Sequence, residues 1–449
     1  MGRIIGIRHR IKFDKEGNAR PTELCFAIAD QKVQKYKLED ETAELDWVLG
    51  KYPTKYRKPE DGEDLSQFAE HQIKRKKDQT VTKVPAEFDG LQPGDTVVMV
   101  LGGSGDYLAY AISVQADKIG AKICRVPPFT LKQFRGEDKT DDAQHLVNLY
   151  MSSPEVFQEV SPRDREFMLL GVHFRGWKDA QKSRIACEQR IGQAVIGESF
   201  CCADGLFPQG SIKKAAEEAK ANDQILKNME AEEARRLKAM AKHVETMDIF
   251  QQLFAPIKGC GPRISARLLV AIGDIRRFET TCRSDGKMSH GSAKLKSYLG
   301  VSVNPDGTFR RKRKGQVANW HNEGRLALYL VVDQFIKNPN SEWGQRFRQI
   351  KEEMRNKHPE TLCKTCSTPE KPVRWEDCQK KGHKRMYNDG HIHNMAIWRT
   401  ATKFVEHLWK EWTKLENKLA QKEGIIPELP VSPQSKGEAK QPSSQTGLM

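Results

Sequence analysis

Four residues near the carboxyl end have the types and spacing of a metal site. Cys363 and Cys366 are separated by two residues, and Cys378 and His383 follow after a short loop. Zinc takes four tetrahedral nitrogen or sulfur ligands, and a two-residue knuckle followed by a second pair supplies them. His391 and His393 lie just beyond and compete with His383 for the fourth place. The bland alternative is a loop carrying reduced thiols and imidazoles. Ten cysteines in 449 residues do not make a disulfide framework, and the others lack metal-type spacing, so they read as reduced thiols.

A second stretch is suited to holding phosphate. Lys258-Gly259-Cys260-Gly261-Pro262-Arg263 is glycine-rich and lies between apolar segments of helical period, which predicts a hairpin between two helices. Gly259 and Gly261 can take the positive φ of a tight turn, and Pro262 suits the first turn of the following helix. Free N–H groups at a helix start attract anions, and Lys258, Arg263 and Arg267 add positive charge. An ordinary helical corner is the competing reading. Further on, Arg310, Arg311, Lys312, Arg313 and Lys314 form the densest charge run. It reads as a solvated face, an import signal or, beside the hairpin, a nucleic-acid contact. A net charge of +15 and a pI near 9.2 favour a polyanionic partner, with nucleic acid first and an anionic membrane surface second.

Two carboxylates stand at the head of a predicted helix, Asp141 and Asp142, just after the basic loop carrying Lys132, Arg135 and Lys139. Acids at a helix start are commonly caps, and that reading competes with a functional one. The turn GGSGDY after Leu101 tempts towards a dinucleotide site. Leu108 stands where a third small residue is needed, and Arg125 and Pro127 replace the acid that would close the next strand, so a tight strand-to-helix turn is preferred.

The elements that must position these groups divide into an α/β part and a mainly α part. Arg3 to Ile7 and Leu24 to Ile28 read as a hairpin, and Thr96 to Leu101 as a buried strand. A helix through Tyr107, Tyr110 and Val114 then leads to a strand at Ala121 to Val126. Strand, helix and strand make a βαβ unit with parallel pairing. The charged segment at about 51–83 reads as an insertion or exposed loop. One amphipathic helix is expected over Arg163 to Val195, weakened by Gly171 and Gly176. A second is expected from about Ser211 to Phe254, with Leu237, Met240, Val244 and Met247 at heptad positions. Such a helix reaches roughly 65 Å at its rise per residue. The pair forms either an arm for dimerisation or an intramolecular hairpin. The tail after Gly424 is rich in Pro, Ser, Gln and Lys and reads as disordered. No apolar run spans a membrane, and MGRIIGIRHR is too short for a secretion signal, so the expectation is a soluble intracellular protein.

Together, the hairpin with LLVAIGDIRRF, the segments FRGEDKTDDAQHL, YLGVSVNPDG, LALYLV and SEWGQRFRQIKEEM, and the final HIHNMAIWRTATKFVEHLW resemble a known family over about Gly2 to Trp412. The family is the insertion-sequence transposases related to pilin-gene inverting recombinases. The resemblance implies an RNase H/RuvC-like domain at about 1–155 and a helical coiled-coil arm at 156–254. It also implies a helical domain with a helix-hairpin-helix at 255–423, ahead of the tail at 424–449. It further implies Mg²⁺ held by a DEDD acidic set, a nucleophilic serine, DNA as substrate, a homo-oligomer joined through the arm, and a prokaryotic cytoplasmic, nucleoid-associated location. Some members use a guide RNA.

The chain departs from the family at the chemistry. Ile7 and Arg8 stand where the first Asp belongs, and Leu101 and Gly102 where the Glu belongs. The K-T-D-x-x-D-A pattern is shortened to Lys139-Thr140-Asp141-Asp142-Ala143, and adjacent helical residues point about 100° apart. Asn304, Pro305 and Asp306 occupy the region of the serine, with Ser297 and Ser302 nearby but out of place. Two functions compete: a DNA-binding transposase with degenerate acidic and serine positions, and a non-catalytic DNA- or RNA-binding regulator on the same scaffold. Asp30, Asp95 and Asp106 rebuild the acidic set only under a shifted strand register. Binding without efficient cleavage is the expectation.

Overall fold

The computed structural model describes residues 2–10, 19–27, 34–136, 140–205, 211–278, 280–282, 288–304, 309–310, 315, 318–368, 370–378 and 380–422. Lys139, Asp30, Pro305, Asp306, the run Arg311 to Lys314 and the tail lie outside these residues.

The amino-terminal part is built on a six-stranded sheet. β1 (Ile4–Arg8), β2 (Thr22–Ala27) and β3 (Gln34–Leu38) run antiparallel as a meander. β1 also pairs in parallel with β7 (Thr96–Val100), and β7 with β8 (Lys122–Val126); the short β9 (Gln158–Glu159) closes the edge, for an order of 3-2-1-7-8-9. The β-branched run of β1 and the apolar run of β7 are buried on both faces, as central parallel strands require. One face carries α1 (Glu41–Val48) and α2 (Asp106–Ile119). The other carries α3 (Pro128–Arg135) and α4 (Asp142–Ser152). Gly6 in β1 admits α4: a Cβ there would meet the Ala143 carbonyl oxygen at 2.0 Å.

The segment at about 51–83, expected as an insertion or exposed loop, contains strands, which corrects the loop alternative. β4 (Tyr52–Arg57), β5 (Lys74–Arg75) and β6 (Val81–Asp89) form a separate antiparallel sheet of order 4-6-5. Its register shifts at Pro53, Lys55 and Tyr56 and its mixed charged pattern hide the period of two that reveals a strand.

α5 (Pro162–Phe200) runs unbroken for 39 residues from a capping box in which Ser161 and Asp164 exchange hydrogen bonds. Gly176 does not break it, because its carbonyl accepts from Arg236 at 3.1 Å. The second long helix is a correction: it divides into α6 (Ile212–Asn222) and α7 (Gln224–Thr246). Asp223 ends the first and caps the second, accepting the Leu226 N–H at 2.6 Å. A π-helical turn over Phe250–Phe254 follows. α7 packs antiparallel on α5, with Arg184 on Glu233 at 2.6 Å and His243 on the Glu166 carbonyl at 3.0 Å. Met240, Val244 and Met247 are fully buried in this pairing, so these heptad positions are used within the chain.

The carboxyl-terminal part packs α8 (Pro262–Ile272), α9 (Gly291–Tyr298), α10 (Asn322–Lys337), α11 (Glu342–Lys357) and α13 (Asp389–Lys422) into one core with the bases of α5 and α7. A two-stranded ribbon, β10 (Thr281–Cys282) with β11 (Met288–Ser289), precedes α9. Between α11 and α13 stands a small module of β12 (Leu362–Cys363), α12 (Trp375–Cys378) and β13 (Arg385–Met386). The overall class is mixed α/β with a largely helical second half. Among the described residues no helix is long and apolar enough to cross a membrane.

Candidate metal centre and nucleic-acid interface

The small module brings its four ligands together. The antiparallel pairing of β12 with β13 places Cys363 opposite Arg385, two residues after His383, and the Cys363 N–H donates to the Val373 carbonyl at 2.9 Å. The positive φ of Gly382, +84°, turns the chain so that His383 faces the knuckle. His383 Nδ1 lies 3.4 Å from Cys363 Sγ, 3.4 Å from Cys366 Sγ and 3.3 Å from Cys378 Sγ, and Cys366 and Cys378 are 3.5 Å apart. Ligands of a tetrahedral zinc at bond lengths of about 2.0–2.3 Å stand about 3.3–3.8 Å from one another. The cluster can hold such an ion. Burial opposes ionisation of Cys363, but the Cys366 and Thr365 N–H groups, Cys378 and His383 bring its thiol down to about 6. Cys378 and burial push Cys366 up to about 11.

The fourth member of the cluster is therefore His383. His391 is otherwise engaged, accepting the Tyr387 N–H at 2.9 Å and stacking on that ring, and His393 packs edge-on to Phe347. Among the described residues this is the single cluster of three or more side chains with the geometry of a metal site.

Where the sequence predicts a helical hairpin, the chain turns between the π-helical segment Phe250–Phe254 and α8. Gly259 takes φ of +103° and packs against Gln334 of α10, whereas Gly261 is extended at φ −68°. Gly261 stands at the start of α8 without a side-chain cap, and open space lies above it. Lys258 and Arg263 are exposed beside it. Arg267 is not available to a phosphate: it is 5 % exposed, pairs with Glu323 at 2.9 Å and stacks on Trp177. Burial, opposed by Glu323, lowers its pKa. Arg263 covers the same indole at 5.2 Å, so Trp177 of the arm supports the hairpin. Sequence reading missed Trp177 in this role, because it lies far from Arg263 in the chain. Arg310 is half-buried, 3.3 Å from Asn319, and its carbonyl accepts from Arg325, which lies between the rings of Trp320 and Trp398.

The carboxylates do not converge. Asp141 begins α4 without capping it through its side chain, and its carboxylate meets Lys35 at 2.8 Å. Asp142 pairs with Arg135 at 3.0 Å. At the end of β1, Arg8 pairs with Glu23 at 2.9 Å, and Arg125 on β8 binds Asp106 at 2.5 Å. Asp95 is buried against Arg3 at 2.7 Å, away from Asp141 in its pairing. Ser302 has a buried hydroxyl without a hydrogen-bond partner among the described residues.

A cleft separates the sheet ends from the helical domain. Its walls carry Gly102, Gly103, Arg175, Arg277 and Tyr298, and it holds about 200 Å³. Its floor is an ionic knot: Arg276 binds Asp164 at 2.5 Å and Asp274 at 2.7 Å, and Arg163 binds Glu416 at 2.7 Å. Burial disfavours the Arg276 charge, but Asp274 and Asp164 more than offset this and raise its pKa. The GDIRRF segment thus joins arm to core. No protein-family model and no curated protein matches the chain.

Proposed function

We propose that this chain is a duplex-DNA-binding protein on the scaffold of the insertion-sequence transposases, with its acidic and serine positions degenerate. The observation that carries the reading is the separation of Asp141 and Asp142 into ion pairs with Lys35 and Arg135, at 2.8 and 3.0 Å. Mg²⁺ needs several oxygens directed at one point. An arginine at the end of β1 opposes that charge further. The same separation favours a non-catalytic DNA- or RNA-binding regulator over an active recombinase.

Support for the scaffold comes from the sheet order, an antiparallel meander followed by parallel strands, which suits an RNase H/RuvC-like domain. The exposed start of α8 suits a helix-hairpin-helix. In this reading Lys258, Arg263 and the run Arg310 to Lys314 face the phosphate backbone, while Arg267 has a structural part. Zinc occupies Cys363, Cys366, Cys378 and His383 as a structural ion. Exposed Ile196, Phe200 and Ile225 towards the end of the arm offer a surface for homo-oligomers. A guide RNA and a nucleoid-associated location in a prokaryotic cytoplasm complete the family reading.

The binding claim is tested by replacing Arg310 to Lys314 with Ala and titrating duplex DNA across salt concentrations. Each lost phosphate contact flattens the log K versus log salt slope by about 0.9. An unaltered slope removes the run from the interface.

A further inference from the structure

At the carboxyl ends of β1 and β7 the fold brings together three groups that are far apart in sequence. Ser104 Oγ lies 2.9 Å from His9 Nδ1, and His9 Nε2 lies 3.4 Å from Glu44 Oε1. Glu44 is 5 % exposed, and the same oxygen accepts the hydroxyl of fully buried Thr22 at 2.5 Å. Burying a carboxylate is costly unless it is paired, and here it faces an imidazole. Ser104, at the other end of the chain of contacts, is exposed.

We propose that Ser104, His9 and Glu44 form a nucleophilic site for acyl transfer that takes carboxylic esters bearing an anionic group. Ser104 sits in the tight turn from β7 into α2, where Gly102 and Gly103 have φ of +84° and +85°. Such a turn lifts a hydroxyl clear of a sheet. Gly105 leaves room for the imidazole, since a Cβ there would stand 3.3 Å from His9 Cβ. His9 takes the Oγ proton as the bond from Oγ to the carbonyl carbon forms. Collapse of the tetrahedral intermediate breaks the bond to the leaving alcohol, which receives that proton. Water then repeats the sequence and releases the acid, with Glu44 orienting the imidazole and balancing its charge.

Carbonyl chemistry fits this place better than phosphoryl transfer. The neighbouring guanidinium groups are engaged, Arg8 with Glu23 and Arg10 with Glu41 and Glu44, whereas phosphoryl transfer depends on cations to neutralise developing charge. A preference for anionic esters follows from the cleft lined by the same turn. There, among the described residues, Arg175 contacts the Tyr107 ring and hydroxyl, and Arg277 contacts the Phe278 and Tyr298 rings and the Ile272 carbonyl, rather than carboxylates.

The test treats the full-length protein with a fluorophosphonate and maps the adduct by mass spectrometry. One adduct on Ser104 is expected, absent in Ser104→Ala, which retains the parent's melting temperature because the side chain is exposed. His9→Gln slows labelling about a hundredfold. Glu44→Gln slows it about tenfold or more, and Glu44→Asp restores part of the rate, which loss of packing alone would not produce. The mono-p-nitrophenyl ester of succinate is hydrolysed faster than p-nitrophenyl acetate, and Arg175→Gln removes the difference. An adduct elsewhere, no adduct, or an unchanged rate in His9→Gln overturns the site. Equal hydrolysis of the two esters overturns the anionic preference.

Discussion

The cysteine module and the end of the central sheet both gather residues able to hold a cation, yet only the module aims them at one point. In the module, the three sulfurs and Nδ1 stand at 3.3–3.5 Å contacts around a common centre, and among the described residues no ion pair joins them to a lysine or arginine. At the sheet end, Glu23, Asp106, Asp141 and Asp142 each meet a separate cation. Side chains that converge on one point without an ion pair of their own can take a cation from solution, whereas carboxylates already neutralised by the chain have little to gain from one. The number of acidic residues is thus a poor guide to metal binding. Their direction and their existing partners decide it.

The largest effect expected from this contrast is on metal content. The purified protein should hold close to one equivalent of zinc, and Cys363→Ser should abolish it and melt the module, since structural zinc contributes about 10 kcal/mol or more of apparent folding free energy. Millimolar Mg²⁺ should leave the melting temperature unchanged. Zinc well below one equivalent, or marked stabilisation by Mg²⁺, would break the contrast.

Next in size is the ionic knot, where charges are half-buried and mutually satisfied. Arg276→Met leaves Asp164 and Asp274 without their shared partner, and at this partial exposure the loss lies between the surface-pair value of about 1 kcal/mol and the buried-pair value of about 3–5 kcal/mol. Denaturant unfolding measures it. A loss below that of a surface pair, about 1 kcal/mol, would mean the knot is open to water.

The module was legible because its ligands lie on one short stretch joined by turns, so sequence spacing stands in for distance. The parallel strands were legible too, because their apolar runs reveal them. Legibility failed where tertiary partners decide. Arg267 reads as an outward cation, but α8 is buried on nearly every side and Trp177 and Glu323 enclose the guanidinium. The sheet of β4, β5 and β6 carries charge on both faces and an irregular register, which mask its period. His9 and Ser104 meet only because β1 and β7 are neighbours in parallel.

A smaller effect concerns pH. His321 caps α10 by accepting the Gly324 N–H at Nδ1, and burial, with the nearby Arg277, lowers its pKa below 6.5. The neutral form is the one that caps. This stability is therefore present above the unfolded value and lost as pH falls from about 6.5 through the lower folded value. His321→Asn, a cap that does not titrate, should flatten the fall in melting temperature between neutral and mildly acidic pH, with a cap worth about 1 kcal/mol at stake. An equally steep fall in the variant would assign the titration to His173, His358 or His393, whose pKa values are lowered by burial too.

The most direct measurement of the central claim incubates the full-length protein with supercoiled plasmid and Mg²⁺, then resolves binding and topology on parallel gels. The account predicts a salt-sensitive mobility shift with the plasmid left supercoiled, and weaker binding in the double variant Lys258→Ala, Arg263→Ala. Efficient Mg²⁺-dependent nicking that is lost on Asp141→Ala or Asp142→Ala would contradict it, for it would mean that the separated carboxylates converge when DNA is bound.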